Sequence, residues 1–333
     1  MPHGRAVDRA DGVTAPGFWQ TGGPLAAALS PFQIITRMAT ARRIAQAGWQ
    51  APVPVICCGN ASVGGTGKTP LCLDILARLR ARGIDAHGLT RGHGGRLPGP
   101  IRVDPARHMA ADVGDEALLL AAAAPSWAGA DRAAAARAAI AAGAQALIMD
   151  DGLQNPSLAK TMSFLVIDGG AGFGNGRLLP AGPLREPVSA AAARCRAAVM
   201  LGGDRWGALG QLPADLPVLH AAMAPGPEML ALAGCQVVAF AGIGRPEKFF
   251  ATLRDAGIAL AASEGFPDHY VYRDEDLARL RGMARSRAAA LVTTTKDFAR
   301  LAPAYRHGIT ALSAFLAWDD EASFERVLFG TQY

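Results

Sequence analysis

The sequence lacks any apolar run of the ~18 residues that a membrane-crossing helix requires. The nearest approach, residues 24–38, is short and broken by Pro31 and Gln33. A cysteine framework is also missing. Cys57 and Cys58 are adjacent, Cys72, Cys195 and Cys235 stand alone, and the number is odd with no metal-ligand spacing. Free thiols in a reducing compartment, the cytoplasm, are the simplest reading. Residues 1–14 are polar and charged with no apolar stretch before a small-residue cleavage site, so no secretory signal is expected and the stretch reads as disordered. No repeat of fixed period occurs, which excludes a solenoid. Lysine is scarce beside arginine, a mark of coding bias with little functional content.

What is present begins with apolar content. Half of the 333 residues are hydrophobic, enough for one large core or two. The formal charge of +5 suits anionic partners such as nucleotides, phosphorylated lipids or an anionic membrane, without selecting among them. No nucleic-acid partner and no obligate protein partner are expected. Residues 17–48 combine Phe18, Trp19, Leu25, Leu29, Phe32, Ile34, Ile35 and Met38 with Arg37, Arg42 and Arg43. Two readings fit this mixture: a helix lying in a membrane interface, or a helix packed on the core.

From Val53 onward strands alternate with helices. Strands are expected at residues 53–58, 86–90, 146–150, 164–168 and 197–201, and helices at 68–82, 115–124 and 131–142. Residues 202–234 are rich in Gly, Pro and Ala and read as a boundary. A second α/β unit follows, with strands at 237–241 and 290–294 and helices at 246–256 and 274–285. The predicted architecture is a P-loop NTPase core, a three-layer α/β/α arrangement with a mostly parallel sheet, plus a smaller C-terminal α/β domain. The expected division is 1–48 for a tail and amphipathic helix, 49–222 for the larger α/β domain and 223–333 for the smaller domain.

Ser62, Val63, Gly64, Gly65, Thr66, Gly67, Lys68 and Thr69 follow the first strand and open the first long helix. They match the phosphate-loop template except that Ser62 replaces its first glycine. Small residues let backbone N–H groups close around a phosphate, and the helix N-terminus adds partial positive charge. Lys68 would reach the β- and γ-phosphates of a nucleoside triphosphate, and the Thr69 hydroxyl would meet Mg²⁺.

Asp150 and Asp151 end an apolar strand, where a Mg²⁺-organising carboxylate is expected beside a phosphate loop. The alternative is an Asp-Gly turn ending the strand, and the phosphate loop beside it favours the metal role. Asp115 and Glu116 open a helix, where the helix dipole alone favours acids. Asp168 reads as a turn or cap. The stretch 169–187 (GGAGFGNGRLLPAGPLREP) is long and aperiodic and holds Arg177, Arg185 and Glu186. Its arginines could pair with a phosphate or lie on a solvated loop. The same alternatives apply to Arg91 in the basic loop 90–96. His269 is a structural histidine or a candidate acid or base. Lys296-Asp297 lacks the spacing of a guanine-specificity signature, so GTP is not inferred.

These motifs in this order resemble the tetraacyldisaccharide 4'-kinase (lipid A 4'-kinase) family over about residues 17–330. The resemblance rests on Gly59-Asn60 with residues 63–70 (VGGTGKTP), 90–92 (TRG), 113–116 (VGDE), 150–154 (DDGLQ), 172–187 (GFGNGRLLPAGPLREP), 239–244 (AFAGIG) with Pro246-Glu247, 266–269 (FPDH) and Lys296-Asp297. It implies transfer of the ATP γ-phosphate to the 4'-hydroxyl of tetraacyldisaccharide 1-phosphate, giving lipid IVA. The cofactors implied are ATP and Mg²⁺. The lipid A disaccharide precursor is the implied partner, and the place of action is the cytoplasmic face of the bacterial inner membrane, reached peripherally through the N-terminal helix. Carried over by motif, Asp115 activates the sugar hydroxyl with His269 as partner. Glu116, Asp150 and Asp151 serve the metal or phosphates with Thr69, and Arg91, Asn175, Arg185 and Glu186 contact substrate. Three positions depart from the family pattern: His93 stands for Tyr, Asn155 for His and Tyr270 for a second His. Two rival functions are another P-loop kinase or ligase with a different small acceptor, and a non-catalytic membrane-associated nucleotide switch.

Overall fold

The strand before the phosphate loop is buried along its whole length because it serves two cores at once. In β1 (Val55–Gly59), Val55 and Cys57 enter one apolar cluster while Ile56 and Cys58 enter another, so every position is apolar. That continuous run marks a central strand of a sheet covered on both faces. The computed structural model describes residues 16–330, and the disorder expected for residues 1–14 lies outside them.

The described chain divides into two units. The larger comprises Gly17–Glu228 and the chain from Ser313 onward. Its sheet holds β1, β2 (Ala86–Thr90), β3 (Ile101–Arg102), β4 (Ser126–Ala128), β5 (Ala146–Asp150), β6 (Met162–Asp168), β7 (Ala197–Leu201), β8 (Val218–Pro225) and β13 (Ala314–Trp318). Their order is β13-β8-β7-β6-β1-β5-β2-β4-β3. The seven inner strands are parallel, and β3 and β13 run antiparallel at the two edges. Helix Lys68–Ala81 buries Leu71, Ile75, Leu76 and Leu79 against one face. Helix Arg132–Ala141 covers the other with Ala135, Ala136 and Ala139, beside Phe173, Leu178 and Leu184 of the glycine-rich stretch.

The smaller unit, Met229–Leu312, has a four-stranded parallel sheet. It consists of β9 (Gln236–Ala241), β10 (Ala259–Gly265), β11 (Ala290–Thr294) and β12 (Ile309–Leu312) in the order β10-β9-β11-β12. Apolar clusters lie on both of its faces, so this sheet too is doubly covered.

Two parts of the expected division differ from the chain's path. Residues 313–330 do not belong with the smaller unit. β13 pairs with β8, and helix Glu321–Phe329 closes over the larger core, with Phe324 stacked on Trp318 at 3.8 Å. Arg78 of the P-loop helix binds Glu321 and Glu325, and Trp318 donates to Asp74. This return rests on pairing between distant segments, which no local pattern announces. Residues 17–48 are likewise part of the larger unit. Helix Gln33–Ile44 is tied to the glycine-rich stretch by Thr36 Oγ1 to the Leu179 carbonyl (2.7 Å), Thr40 Oγ1 to the Arg185 carbonyl (3.0 Å) and the Leu178 N–H to Gln33 Oε1 (2.7 Å). Positions 33, 36 and 40 form one helical stripe, so the helix turns a polar face inward. Phe32, Ile34, Ile35 and Met38 are left exposed.

Candidate active site

The phosphate loop runs from β1 to helix Lys68–Ala81, as the strand–loop–helix order predicts. Gly67 has φ 86°, a left-handed backbone conformation that favours glycine there. Register places Asp150 beside Cys58, which sets the end of β5 next to the loop. Thr69 Oγ1 donates to Asp150 Oδ2 at 2.7 Å, and Lys68 Nζ lies 3.8 Å from Asp151 Oδ2. Asp151 adopts φ 51°, a costly conformation for a residue with a side chain.

The two aspartates differ electrically. Burial pushes the Asp150 carboxyl above the ordinary range, against the pull of Lys68 and Thr69. Burial acts on Asp151 in the same sense, but Lys68 and Arg185 outweigh it and hold that carboxyl below the ordinary range. Arg185 reaches both Asp151 oxygens, at 2.9 and 3.1 Å. The glycine-rich stretch delivers it by running beside the phosphate loop: the Val63 N–H donates to the Pro183 carbonyl and the Arg185 N–H to the Ala61 carbonyl.

Glu186 is 1% exposed and accepts from Arg194 Nη2 at 2.7 and 2.8 Å and from Gln154 Nε2 at 2.8 Å. Its carboxylate is committed to holding the loop. Asn175 is committed too: its Nδ2 donates to the Phe18 and Ala181 carbonyls, and its Oδ1 accepts from the Arg177 N–H. Both residues were expected to contact substrate, and the structure gives them bonds that shape the loop.

Asp115 is buried at the start of helix Asp115–Ala123, with Glu116 half-buried beside it. The loop after β2 lies against this helix start. Gly114 has φ 86°, and a Cβ there would meet the His93 carbonyl at 2.5 Å. That approach brings the exposed Arg91 loop to the carboxylates' helix. Asp168 accepts from the Gly170 N–H at 2.9 Å, in keeping with a turn-closing role.

His269 belongs to the smaller unit and follows β10. It adopts φ 60°, its N–H donates to the Gly242 carbonyl, and its Nδ1 lies 3.3 Å from Arg300 Nη2.

A family model described as "LpxK: Tetraacyldisaccharide-1-P 4'-kinase" matches residues 25–331. The chain belongs to this family. A tetraacyldisaccharide 4'-kinase of Gluconacetobacter diazotrophicus is 57% identical over 94% of this chain and 97% of its own length. One from Rhodospirillum centenum is 53% identical over 95% and 96%. The crystal structure of LpxK from Aquifex aeolicus in complex with ATP is similar at TM-score 0.73 and 25% identity, covering 93% of this chain and all of that one. The fold expected from the sequence is therefore the family's fold.

The departures from the family pattern have local explanations in two cases. Asn155 Oδ1 accepts from the Ser157 N–H and hydroxyl, closing a turn, and the Tyr270 hydroxyl donates to Asp276. His93 is exposed. One residue escaped the sequence reading altogether. Arg132, 2% exposed at the start of helix Arg132–Ala141, feels the charges of Asp150 and Asp151, and burial pushes its guanidinium down to about 10. It remains a cation at neutral pH. The available signal was an arginine opening an otherwise apolar, alanine-rich helix.

Proposed function

We propose that the chain is a lipid A 4'-kinase, transferring the γ-phosphate of ATP to the 4'-hydroxyl of tetraacyldisaccharide 1-phosphate to form lipid IVA. The observation that carries this reading is the meeting of Lys68, Thr69, Asp150, Asp151 and Arg185 at the ends of β1 and β5, in a chain of this family. ATP as donor is supported by the nucleotide bound to the Aquifex relative.

The residues fit Mg²⁺. Asp150 Oδ1 is a buried oxygen with no hydrogen-bond partner among the described residues, and the Thr69 hydroxyl sits on the other oxygen of that carboxylate. Hard oxygen donors of this kind suit the ion. Bound there, Mg²⁺ would neutralise phosphate charge. Thr69 and Asp150 are its proposed holders, with Glu116 in support, while Asp151 holds Lys68 and Arg185 in place for the phosphates. Asp115 is the proposed base that orients and deprotonates the 4'-hydroxyl, assisted by His269. Arg91 is the proposed contact to the acceptor. Phosphoryl transfer depends on this positioning and charge neutralisation more than on covalent chemistry.

The acyl chains of the acceptor lie in a bilayer, so the enzyme must work at its surface. We assign that contact to the exposed Leu25, Phe32, Ile34, Ile35 and Met38 with Arg37, Arg42 and Arg43, on the cytoplasmic face of the inner membrane. Among the described residues no helix is long and apolar enough to cross a membrane, which suits peripheral attachment.

The test uses purified protein, labelled ATP, Mg²⁺ and tetraacyldisaccharide 1-phosphate in detergent micelles. A 4'-phosphorylated product is expected, and its absence overturns the proposal. Phosphorylation of a soluble acceptor without lipid would favour a different P-loop kinase. An Asp115→Ala variant with near-normal turnover would remove Asp115 as the base.

A further inference from the structure

We infer that Arg300, anchored by the buried Asp297, is a positioning residue that fixes the orientation and tautomer of His269. The inference rests on the proposed part of His269 in the reaction.

In the smaller sheet, β9 has β10 on one side and β11 on the other, so the strand order reverses at β9. Side chains that gather beyond the strand ends at such a point are placed to serve a ligand. Gly242 follows β9, Asp268 and His269 follow β10, and Asp297 and Arg300 follow β11. Asp297 is fully buried. Its Oδ1 accepts from the Gly242 N–H (3.0 Å), the Tyr272 hydroxyl (2.9 Å) and Arg300 Nη1 (3.0 Å), and its Oδ2 from the Thr294 hydroxyl (2.7 Å). Arg300 Nη1 also donates to the Gly242 carbonyl. With a side chain only 5% exposed, the guanidinium is a fixed plane.

The other edge of that plane faces the histidine. Arg300 Nη2 lies 3.3 Å from His269 Nδ1 and 3.8 Å from Asp268 Oδ1. A guanidinium has no acceptor, so Nδ1 must offer its lone pair. The neutral ring then carries its hydrogen on Nε2, which lies 3.8 Å from Asp268 Oδ2. The backbone is held with equal care. His269 sits at φ 60°, where its N–H reaches Asp268 Oδ1 at 3.0 Å and the same Gly242 carbonyl that Arg300 grips. An imidazole whose side chain is 46% exposed takes little orientation from packing, and its ring torsion is broad. The Arg300 contact gives the ring a fixed partner. An Nε2–H donor is the form suited to steady an anionic oxygen.

The test is ¹⁵N NMR of selectively histidine-labelled full-length protein, with the His269 signal assigned by His269→Gln, beside steady-state kinetics. Wild-type His269 is expected to show an unprotonated Nδ1 and a protonated Nε2. Arg300→Met is expected to mix the tautomers and lower kcat by about 10–100-fold, the usual loss when a group orienting a working histidine is removed. Its KM for ATP should stay within about twofold of wild type, and Arg300→Lys, which keeps a donor, should recover part of kcat. A wild-type ring protonated on Nδ1 overturns the inference without any variant. So does Arg300→Met with unchanged tautomer, or a kcat loss matched by loss of folded protein in thermal unfolding. The expected tautomer in a protein that makes no 4'-phosphate would instead sink the proposed reaction and leave the Arg300 contact standing.

Discussion

Replacing Ile34 and Ile35 together by glutamine separates a membrane-facing helix from a core-facing one. The two side chains are 61% and 64% exposed, and the inward stripe of their helix is Gln33, Thr36 and Thr40. Full burial of an isoleucine is worth about 1.5–3 kcal/mol, so moving the exposed part of each into a bilayer interface gains about 1–2 kcal/mol. The double variant should therefore bind vesicles more weakly by about 2–4 kcal/mol, or roughly 30- to 700-fold. Because these side chains leave water only on the membrane, the unfolding temperature should barely move. The assay is co-sedimentation with vesicles containing anionic lipid, run beside thermal unfolding. Changing Arg37, Arg42 and Arg43 to glutamine should weaken binding by about 1 kcal/mol each on anionic vesicles, with little effect on neutral ones. Vesicle binding of the isoleucine variant within about twofold of wild type would refute the reasoning. So would a large loss of thermal stability, which would mean that the residues are packed against protein.

Glu186→Ala leaves Arg194 without its buried partner, at a cost of about 3 kcal/mol, the lower end for a broken buried pair because Arg194 is 28% exposed. In a unit of this size that lowers Tm by roughly 6–12 °C, and a calorimetric shift under about 2 °C would contradict the structural role given to Glu186. Arg132→Met removes a buried cation whose charge acts together with those of Asp150 and Asp151, and nucleotide binding should weaken about tenfold or more, read by equilibrium titration. Burial holds the His87 imidazole below its ordinary value, although Asp85 opposes this, and Trp127 Nε1 donates to its Nδ1. The fold therefore favours the neutral ring. Stability is complete above the unfolded value near 6.5 and falls as the pH drops toward the folded one, by at most about 1.4 kcal/mol per pH unit. Urea unfolding of wild type and His87→Gln between pH 5 and 7.5 should diverge on the acid side, and parallel curves would refute this.

The phosphate loop was legible in the sequence because everything that defines it is local. A buried strand, eight loop residues and a helix start follow one another in the chain, and each has its own signal in apolar run, glycine content and helix periodicity. The inner strands β1, β5, β6 and β7 were legible for a related reason, since burial on both faces favours a nearly continuous apolar run. The edge strands β3 and β13 and the strand β8 gave weaker patterns, because they are short or partly exposed. The bonds of Glu186 and Asn175 were beyond reach, since nothing in a glycine-rich loop tells which polar side chain turns inward.

By itself the sequence determined the class of chemistry, a triphosphate held at a loop of fixed spacing, and through its motifs the family. Only the tertiary structure decided which carboxylate takes the threonine and which takes the cations. It returned residues 313–330 to the first sheet and turned the polar stripe of the N-terminal helix inward. Each of these outcomes depends on contacts between segments far apart in the chain. Their energies come from burial and hydrogen-bond partners that exist only once the sheet has formed.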